Sequence, residues 1–399
     1  MSRLTHALIA IGVATSMALS GCSSLSPQSR SSDVNKDGWI THCFGRFVID
    51  LPPDAVIRPS YRLWGVGLET RQDPASAIAG ILDARERELK AQPHRKTNGS
   101  MFVRRIEFGP NSRGIYSWSS SINSRIYRLE AYAVAQPAGQ VFRWSPEISD
   151  DREERAMLRT KTWTSHLRSR DPLEIPTESG FCINGGFIAG SAFQVESFRI
   201  GVTFPNHPGA QFLFRSSTGA EENRLLERMG GFLMGVAKLA AGITTLRKGV
   251  RNVGPIHAEE FATAGSQDGQ RLYSFTWESQ GKDDSITEPN LAAQLGVLER
   301  NPDGQSNPPP PAFPTDADAL ALWDAIVESI RLRPGAAGVS SKADGSNSGL
   351  VAASGTPCPW PGVWRCDGAA QGPDQTFMHG EMLPRVNGQI VSWRLVKAF

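Results

Sequence analysis

The sequence predicts an α+β fold: two similar α+β domains, read as a tandem duplication, followed by a small β-rich C-terminal module. The order strand, strand, helix, several strands, helix occurs twice, and Tyr116-Ser117-Trp118 in the first half matches Tyr273-Ser274-Phe275 in the second. A Gly-, Ala- and Ser-rich stretch then precedes a tail with two cysteines and three tryptophans. These observations give domains at 38–178 and 179–335, a linker at 336–356 and the module at 357–399. Two unrelated α+β domains remain the alternative, because short apolar matches arise easily.

The N-terminus has the features of an export signal that ends in a lipid attachment site. Arg3 precedes a short apolar run, which ends at Leu19-Ser20-Gly21-Cys22. This sequence matches the lipobox of bacterial lipoproteins, in which the cysteine is acylated and becomes the new N-terminus. We therefore predict a signal peptide at 1–21, lipidation of Cys22 and a flexible polar tether at 22–37. An ordinary signal peptide or a buried helix are the alternatives.

In the first domain, apolar residues at a period of two predict strands and a period near 3.6 predicts helices. The predicted strands are 46–51, 63–69, 101–108, 114–119 and 125–135. The predicted helices are 74–90, with the apolar stripe Ile78, Ile81, Leu82 and Leu89, and 150–169, which carries Met157, Leu158, Trp163 and Leu167.

The second domain repeats this order. The predicted strands are 198–204, 210–215, 253–261 and 271–278, and the predicted helices are 220–240 and 316–331. Trp163 and Leu167 of the first domain correspond to Ile326 and Ile330 of the last helix. A proline-rich stretch at 301–314 is expected to form an exposed loop.

The composition is that of an ordinary globular protein, with 40% hydrophobic and 21% charged residues. The net charge is +2, and removal of the signal peptide with Arg3 leaves +1. A nearly neutral chain has no overall field that attracts nucleic acid, so nucleic-acid binding is excluded on charge grounds.

Besides Cys22, the chain has four cysteines, which allow three disulfide pairings. Cys358 and Cys366 are close in sequence within the small module, so we pair them, and Cys43 is left to pair with Cys182. An exported protein favours disulfides over thiols. A zinc site is the competing interpretation, but the chain has no Cys-x-x-Cys and no histidine at ligand spacing, so we predict no metal site.

No catalytic constellation is recognisable. The chain has no Gly-x-Ser-x-Gly elbow, no His-Glu-x-x-His and no phosphate-binding glycine loop, and its histidines are scattered. A cysteine held in a disulfide cannot act as a nucleophile, which removes His42 and Cys43 as a thiol-protease pair. We therefore expect a protein that is not an enzyme and needs no cofactor.

Two segments resemble a known family. Cys43-Phe44-Gly45-Arg46-Phe47-Val48-Ile49-Asp50-Leu51-Pro52, the segment 178–188 around Cys182, and the lipobox are similar to those of immunity proteins of type VI secretion lipase effectors. The resemblance covers about residues 37–335 and implies a two-domain α+β periplasmic protein that binds and blocks a cognate antibacterial phospholipase. The pairing of Cys43 with Cys182 agrees with it, because both lie in the matching segments. The tail from Cys358 resembles a small module that is appended to other type VI secretion-associated proteins.

The predicted function is therefore that of an antitoxin, anchored to a membrane in the periplasm, whose partner is a secreted phospholipase. The outer membrane is favoured, because Ser23 stands where some bacteria use Asp to retain lipoproteins in the inner membrane. The alternative is a non-enzymatic envelope lipoprotein with a structural or assembly role in the secretion system. The sequence does not indicate which residues contact the effector.

Overall fold

The computed structural model describes residues 34–398 except 193, 230–241, 268, 298–309, 337–350, 357, 359–361, 368–373 and 378–380. The predicted signal peptide, Cys22, most of the tether and most of the linker lie outside the described residues. Within them, no helix is long and apolar enough to cross a membrane.

The N-terminal unit consists of a hairpin, two strands, a helix, a set of antiparallel strands and a second helix. Its elements are β1 Ile40–Phe44, β2 Phe47–Leu51, β3 Val56–Leu63, β4 Val66–Arg71, α1 Ile78–Ala91, β5 Pro93–His94, β6 Gly99–Ser100, β7 Phe102–Gly109, β8 Ser112–Trp118, β9 Ile126–Ala135, β10 Gln140–Trp144, β11 Glu147–Ser149, α2 Glu153–Ser165 and β12 Leu167–Ser169.

The C-terminal unit repeats this order. Its elements are β13 Gly180–Ile183, β14 Gly186–Ala189, β15 Glu196–Thr203, β16 Ala210–Ser217, β17 Thr244–Val250, β18 Glu259–Gln267, β19 Gln270–Ser279, β20 Asn290–Val297, α3 Asp316–Val327 and β21 Arg331–Leu332. A helical segment at 225–229 occupies the place of α1, and the rest of the predicted helix 220–240 lies outside the described residues.

The two units share one antiparallel sheet of the order β17-β18-β19-β20-β16-β15-β3-β4-β10-β9-β8-β7, with β11 added beside β9. The order within each unit is the same, read outward from the β15–β3 pair at the centre. This repetition supports the predicted duplication and confirms the α+β class. It also shows that the two domains are joined strand to strand.

Short strands link the units a second time. The strand β12, which follows α2, pairs with β14 of the C-terminal unit, whereas β21, which follows α3, pairs with β2 of the N-terminal unit. Each unit therefore completes the hairpin sheet of the other. Such a reciprocal exchange resists relative motion of the two units, because separating them breaks hydrogen bonds in three sheets.

The helices lie on opposite faces of the central sheet. Trp163 of α2 and Trp323 of α3 belong to the main core, which contains the alternate residues Leu129, Ala131 and Ala133 of β9. Tyr132, on the other face of β9, packs with residues of α1 in a separate core. The main core thus lies beneath the sheet, and α1 lies above it.

The tail module is a four-stranded sheet of the order β22-β25-β23-β24, with β22 Val351–Ala353, β23 Gly362–Asp367, β24 Gln375–Phe377 and β25 Ser392–Ala398. Its core contains both cysteines, Trp364, Phe377, Leu383, Trp393 and Leu395. The β-rich character of the module is confirmed. Its first strand lies within the stretch that we had assigned to the linker.

Several predictions about single elements are wrong. The predicted strand 63–69 is a hairpin, in which Trp64 and Gly65 both have positive φ and form a two-residue turn. The predicted strand 253–261 starts only at Glu259, after a tight turn, and β17 and β20 were missed. Leu158, expected on the apolar side of α2, is 65% exposed.

The sequence match that suggested the duplication pairs strands that are not equivalent. Tyr116 lies on β8, which corresponds to β18 in the repeated order, whereas Tyr273 lies on β19. Trp163 and Ile326, by contrast, lie on the equivalent helices α2 and α3.

Candidate effector-binding surface

Among the described residues, no helix covers the middle of the upper face of the sheet. α1 covers the outer strands of the N-terminal unit, and the helical segment at 225–229 lies near Glu259 and Glu278 of the C-terminal unit. Between these helices lies a cleft of about 590 Å³, which we call the central groove. It is lined by residues of β3, β15, β16, β19 and β20, so both units contribute to it.

The floor of the central groove combines apolar side chains, among them Leu213, with polar groups and two arginines. Ser60, Thr203, Gln211, Ser274, Thr276 and Gln294 supply uncharged hydrogen-bonding groups. The only charged side chains that line it, among the described residues, are Arg58 and Arg199. A recess with these groups can bind an extended polypeptide or anionic side chains, and it lacks the acid–base pair that a hydrolase needs.

In each unit, an acidic residue on the upper face of the sheet is held by two arginines. In the N-terminal unit, Glu130 of β9 accepts hydrogen bonds from Arg85 of α1 at 2.8 Å and from Arg143 of β10 at 3.1 Å. The Glu130 side chain is only 7% exposed. A buried carboxylate needs such partners, so the pair of arginines fixes α1 on the sheet.

The C-terminal unit repeats this cluster around Glu278 of β19. Glu278 accepts hydrogen bonds from Arg228 of the 225–229 segment at 2.5 Å and from Arg215 of β16 at 3.4 Å. Burial raises the pKa of Glu278, and the two arginines partly offset this effect. In both units, therefore, a helix beside the groove is held to the sheet by the same kind of contact.

The centre of the molecule lies where the hairpins of the two units meet. Cys43 of β1 and Cys182 of β13 form a disulfide, with Cα atoms 5.9 Å apart and a sequence separation of 139 residues. Ser60 and Arg199 face each other in the β3–β15 pair and are also 139 residues apart (199 minus 60). One sequence shift thus relates both central contacts, as expected for an approximate twofold axis between the units.

A buried ion pair supports this centre. Arg46, in the turn between β1 and β2, donates from Nε to Glu196 of β15 at 2.5 Å and from Nη2 to the other carboxylate oxygen at 3.2 Å. Its Nη1 donates to the carbonyl oxygens of Gly190 and Ala336. The hairpin of the N-terminal unit is therefore bound to the C-terminal unit, because the acceptors of these hydrogen bonds lie in that unit or, for Ala336, directly after it.

The cysteine predictions have different outcomes. The Cys43–Cys182 bridge is present, as predicted from the residues and the family resemblance. Cys358 and Cys366 are buried in the tail core as thiols, so the predicted bridge between them is not formed in this structure. Two cysteines that are close in sequence form a disulfide only if their Cβ atoms point towards each other at a short distance. Cys366 is fixed on β23, where it pairs with Trp393 of β25.

The residues of the groove were not recognised in the sequence. Arg58 and Ser60 of the groove, and Arg62 beyond its lining, alternate along β3 with inward-facing residues, and this alternation could have indicated the strand. The strand was missed because Pro59 lies within it and because the apolar run at 63–69 was predicted to be the strand instead. Arg199, on β15, is brought opposite β3 only by the pairing of the two units.

Two further predictions concern metal binding and the lipidation of Cys22. In the described residues, no group of three or more His, Cys, Asp or Glu side chains is placed to hold a metal ion. Cys22 lies outside the described residues, so its lipidation remains a prediction.

Comparisons with known proteins agree with the two-unit architecture. The sequence profile described as the N-terminal domain of Tle cognate immunity protein 4 matches residues 40–168, and that of its C-terminal domain matches residues 174–335. No curated protein matches the chain.

Solved structures match the same region. The apo structure of the type VI secretion immunity protein TplEi from Pseudomonas aeruginosa is 53% identical, with 75% of this chain and 99% of that chain covered and a TM-score of 0.71. The structure of a Tle4–Tli4 complex gives 53% identity, the same coverage and a TM-score of 0.73. TplEi from the same organism, complexed with an "L" peptide, gives 51% identity, coverage of 75% and 100%, and a TM-score of 0.68. The chain therefore belongs to the Tle cognate immunity protein 4 family, the immunity proteins of type VI secretion lipase effectors.

Proposed function

We propose that this chain is a periplasmic antitoxin that binds its cognate type VI phospholipase effector and blocks it without catalysing a reaction. One observation carries this proposal. The chain is 53% identical to a structure from the Tle4–Tli4 complex and covers 99% of that chain. At this level of identity the binding mode of a relative is expected to be retained, whereas the specificity depends on individual surface residues.

The geometry favours inhibition by a rigid surface. The shared sheet, the exchanged strands and the Cys43–Cys182 bridge hold the two units in one arrangement, so little conformational entropy is lost when a partner binds. A stable grip requires about 1,600 Å² of buried surface in total. The bare upper face with its central groove offers a concave surface on which an effector can be held away from its lipid substrate.

The proposal includes the membrane anchor. Lipidation of Cys22 places the folded units at the end of a tether of about 16 residues, close to the bilayer that a phospholipase attacks. The outer membrane is the proposed location, as argued from Ser23 above.

A growth assay tests the proposal. Cells that export the cognate lipase effector to their periplasm are expected to lyse, and co-production of the full chain is expected to restore growth. A form without residues 1–22 stays in the cytoplasm and should not protect. Lysis in the presence of the exported, folded chain would contradict the antitoxin function and favour an assembly role.

A further inference from the structure

Three arginines at the centre of the upper sheet face have no acidic partner among the described residues. Arg58 and Arg62 of β3 and Arg199 of β15 are all exposed, and none of them forms an ion pair within the part of the chain that the structure describes. We call them the arginine triad. Arg199 lies opposite Ser60, midway between the other two.

The acids of the same face do not compensate this charge. Glu69 is paired with Arg143 at 3.2 Å, and Glu130 and Glu278 are held by the arginines described above. The net charge of the whole chain is only +2, so the triad is a local surplus of positive charge. Within the described part of the chain its guanidinium groups stabilise no neighbouring carboxylate, so intramolecular ion pairing does not account for them.

The spacing of the triad suits an extended acidic segment. Arg58 and Arg62 are four residues apart on one strand face, about 13 Å, and Arg199 lies one strand away between them. The guanidinium group binds carboxylates through two parallel hydrogen bonds, and arginine is enriched at the centres of protein interfaces. Serine and threonine hydroxyls and the Gln211 and Gln294 amides around the triad can bind the backbone of the same segment.

We propose that the arginine triad is the charge-recognition site for the effector, and that it binds aspartate or glutamate side chains on a loop or strand that enters the central groove. This inference rests on the proposed function and specifies its contact surface. Anionic lipid is the less suitable occupant, because the serine, threonine and glutamine groups beside the arginines suit the hydrogen bonds of a polypeptide backbone.

The test compares charge reversals on the two faces of the sheet. The double variant Arg58→Glu/Arg199→Glu is measured by calorimetry against the cognate lipase effector, at low and high ionic strength. Arg155→Glu is a single charge-reversal control, because Arg155 is exposed on α2, which packs on the opposite face, and forms no ion pair with any described residue. Thermal unfolding of every variant checks that the fold is retained.

We expect about 100-fold weaker binding for the double variant and a weaker dependence on salt, with less than a threefold change for the control. If wild type binds and the double variant binds equally well, the triad proposal is wrong while the antitoxin function stands. If wild type does not bind the lipase at all, the proposed function itself fails. Triad-dependent binding to phosphatidylglycerol vesicles, with lipase binding unchanged, would overturn the effector as occupant.

Discussion

Removal of the Cys43–Cys182 bridge should lower the stability of the two-unit body by about 5 kcal/mol. The bridge closes a loop of 139 residues, and the chain-entropy relation gives about 5 kcal/mol at 25 °C for a loop of that length. For about 300 residues the unfolding entropy corresponds to a decrease of about 8 °C in Tm. Both cysteines are buried, so alanine at each site removes little packing beyond the two sulfur atoms.

The assay is denaturant and thermal unfolding of the wild type and of Cys43→Ala/Cys182→Ala, with and without reductant. Reductant should destabilise the wild type by the same amount as the double substitution and should leave the double variant unchanged, because Cys358 and Cys366 are thiols in this structure. A loss below about 1 kcal/mol would refute the reasoning, since the unfolded chain would then gain little freedom from the break. An effect of reductant on the double variant would show that the tail cysteines are bridged in solution.

Three further outcomes follow from the tyrosines, from the carboxylate of Glu130 and from the crowded backbone at Gly335. Burial raises the pKa of all five tyrosines, Tyr61, Tyr116, Tyr127, Tyr132 and Tyr273, so none should ionise in the native protein with the ordinary midpoint near pH 10. Because the unfolded chain loses these protons first, the free energy of unfolding should fall as the pH rises past 10. A native tyrosine that titrates reversibly near pH 10, followed by absorbance at 295 nm, would contradict this. Glu130→Gln should lower the free energy of unfolding by about 2 kcal/mol, because Arg85 and Arg143 lose their shared buried carboxylate. Glu69→Gln, at a 52% exposed site, should lower it by less than about 0.5 kcal/mol in the same chemical unfolding experiment. Equal decreases for the two variants would refute this. Gly335→Ala should be poorly folded, because Gly335 has φ +77° and a Cβ there would lie 1.7 Å from the backbone oxygen of Thr177. Gly139→Ala, at φ +78° with open space around the Cβ, is the control for backbone strain alone. A wild-type Tm for Gly335→Ala would contradict this.

The local elements of the fold were largely predictable. Helix α1 was recognised because Ile78, Leu82 and Leu89 recur at helical spacing and are buried. The hairpin at Trp64 and Gly65 was not, because a tryptophan with positive φ is rare and the flanking apolar residues read as one continuous strand. The turn at these two residues divides the apolar run into two strands, and the residue types do not indicate it.

The candidate surface depended on contacts that sequence periodicity does not contain. Arg58 and Arg199 are 141 residues apart and come together only because β3 of one unit pairs with β15 of the other. Neither residue belongs to a motif, and arginines on exposed strand faces are common. The disulfide, by contrast, could be predicted because cysteines are few and an oxidising compartment was expected.

The central claim is that this chain stops a phospholipase by binding it. The most direct measurement is hydrolysis of phospholipid vesicles by the cognate lipase effector, titrated with the purified chain. We predict that hydrolysis falls to background once the immunity protein reaches and passes an equimolar amount, and that an unrelated phospholipase is not affected. Undiminished hydrolysis in the presence of excess folded chain would contradict the claim.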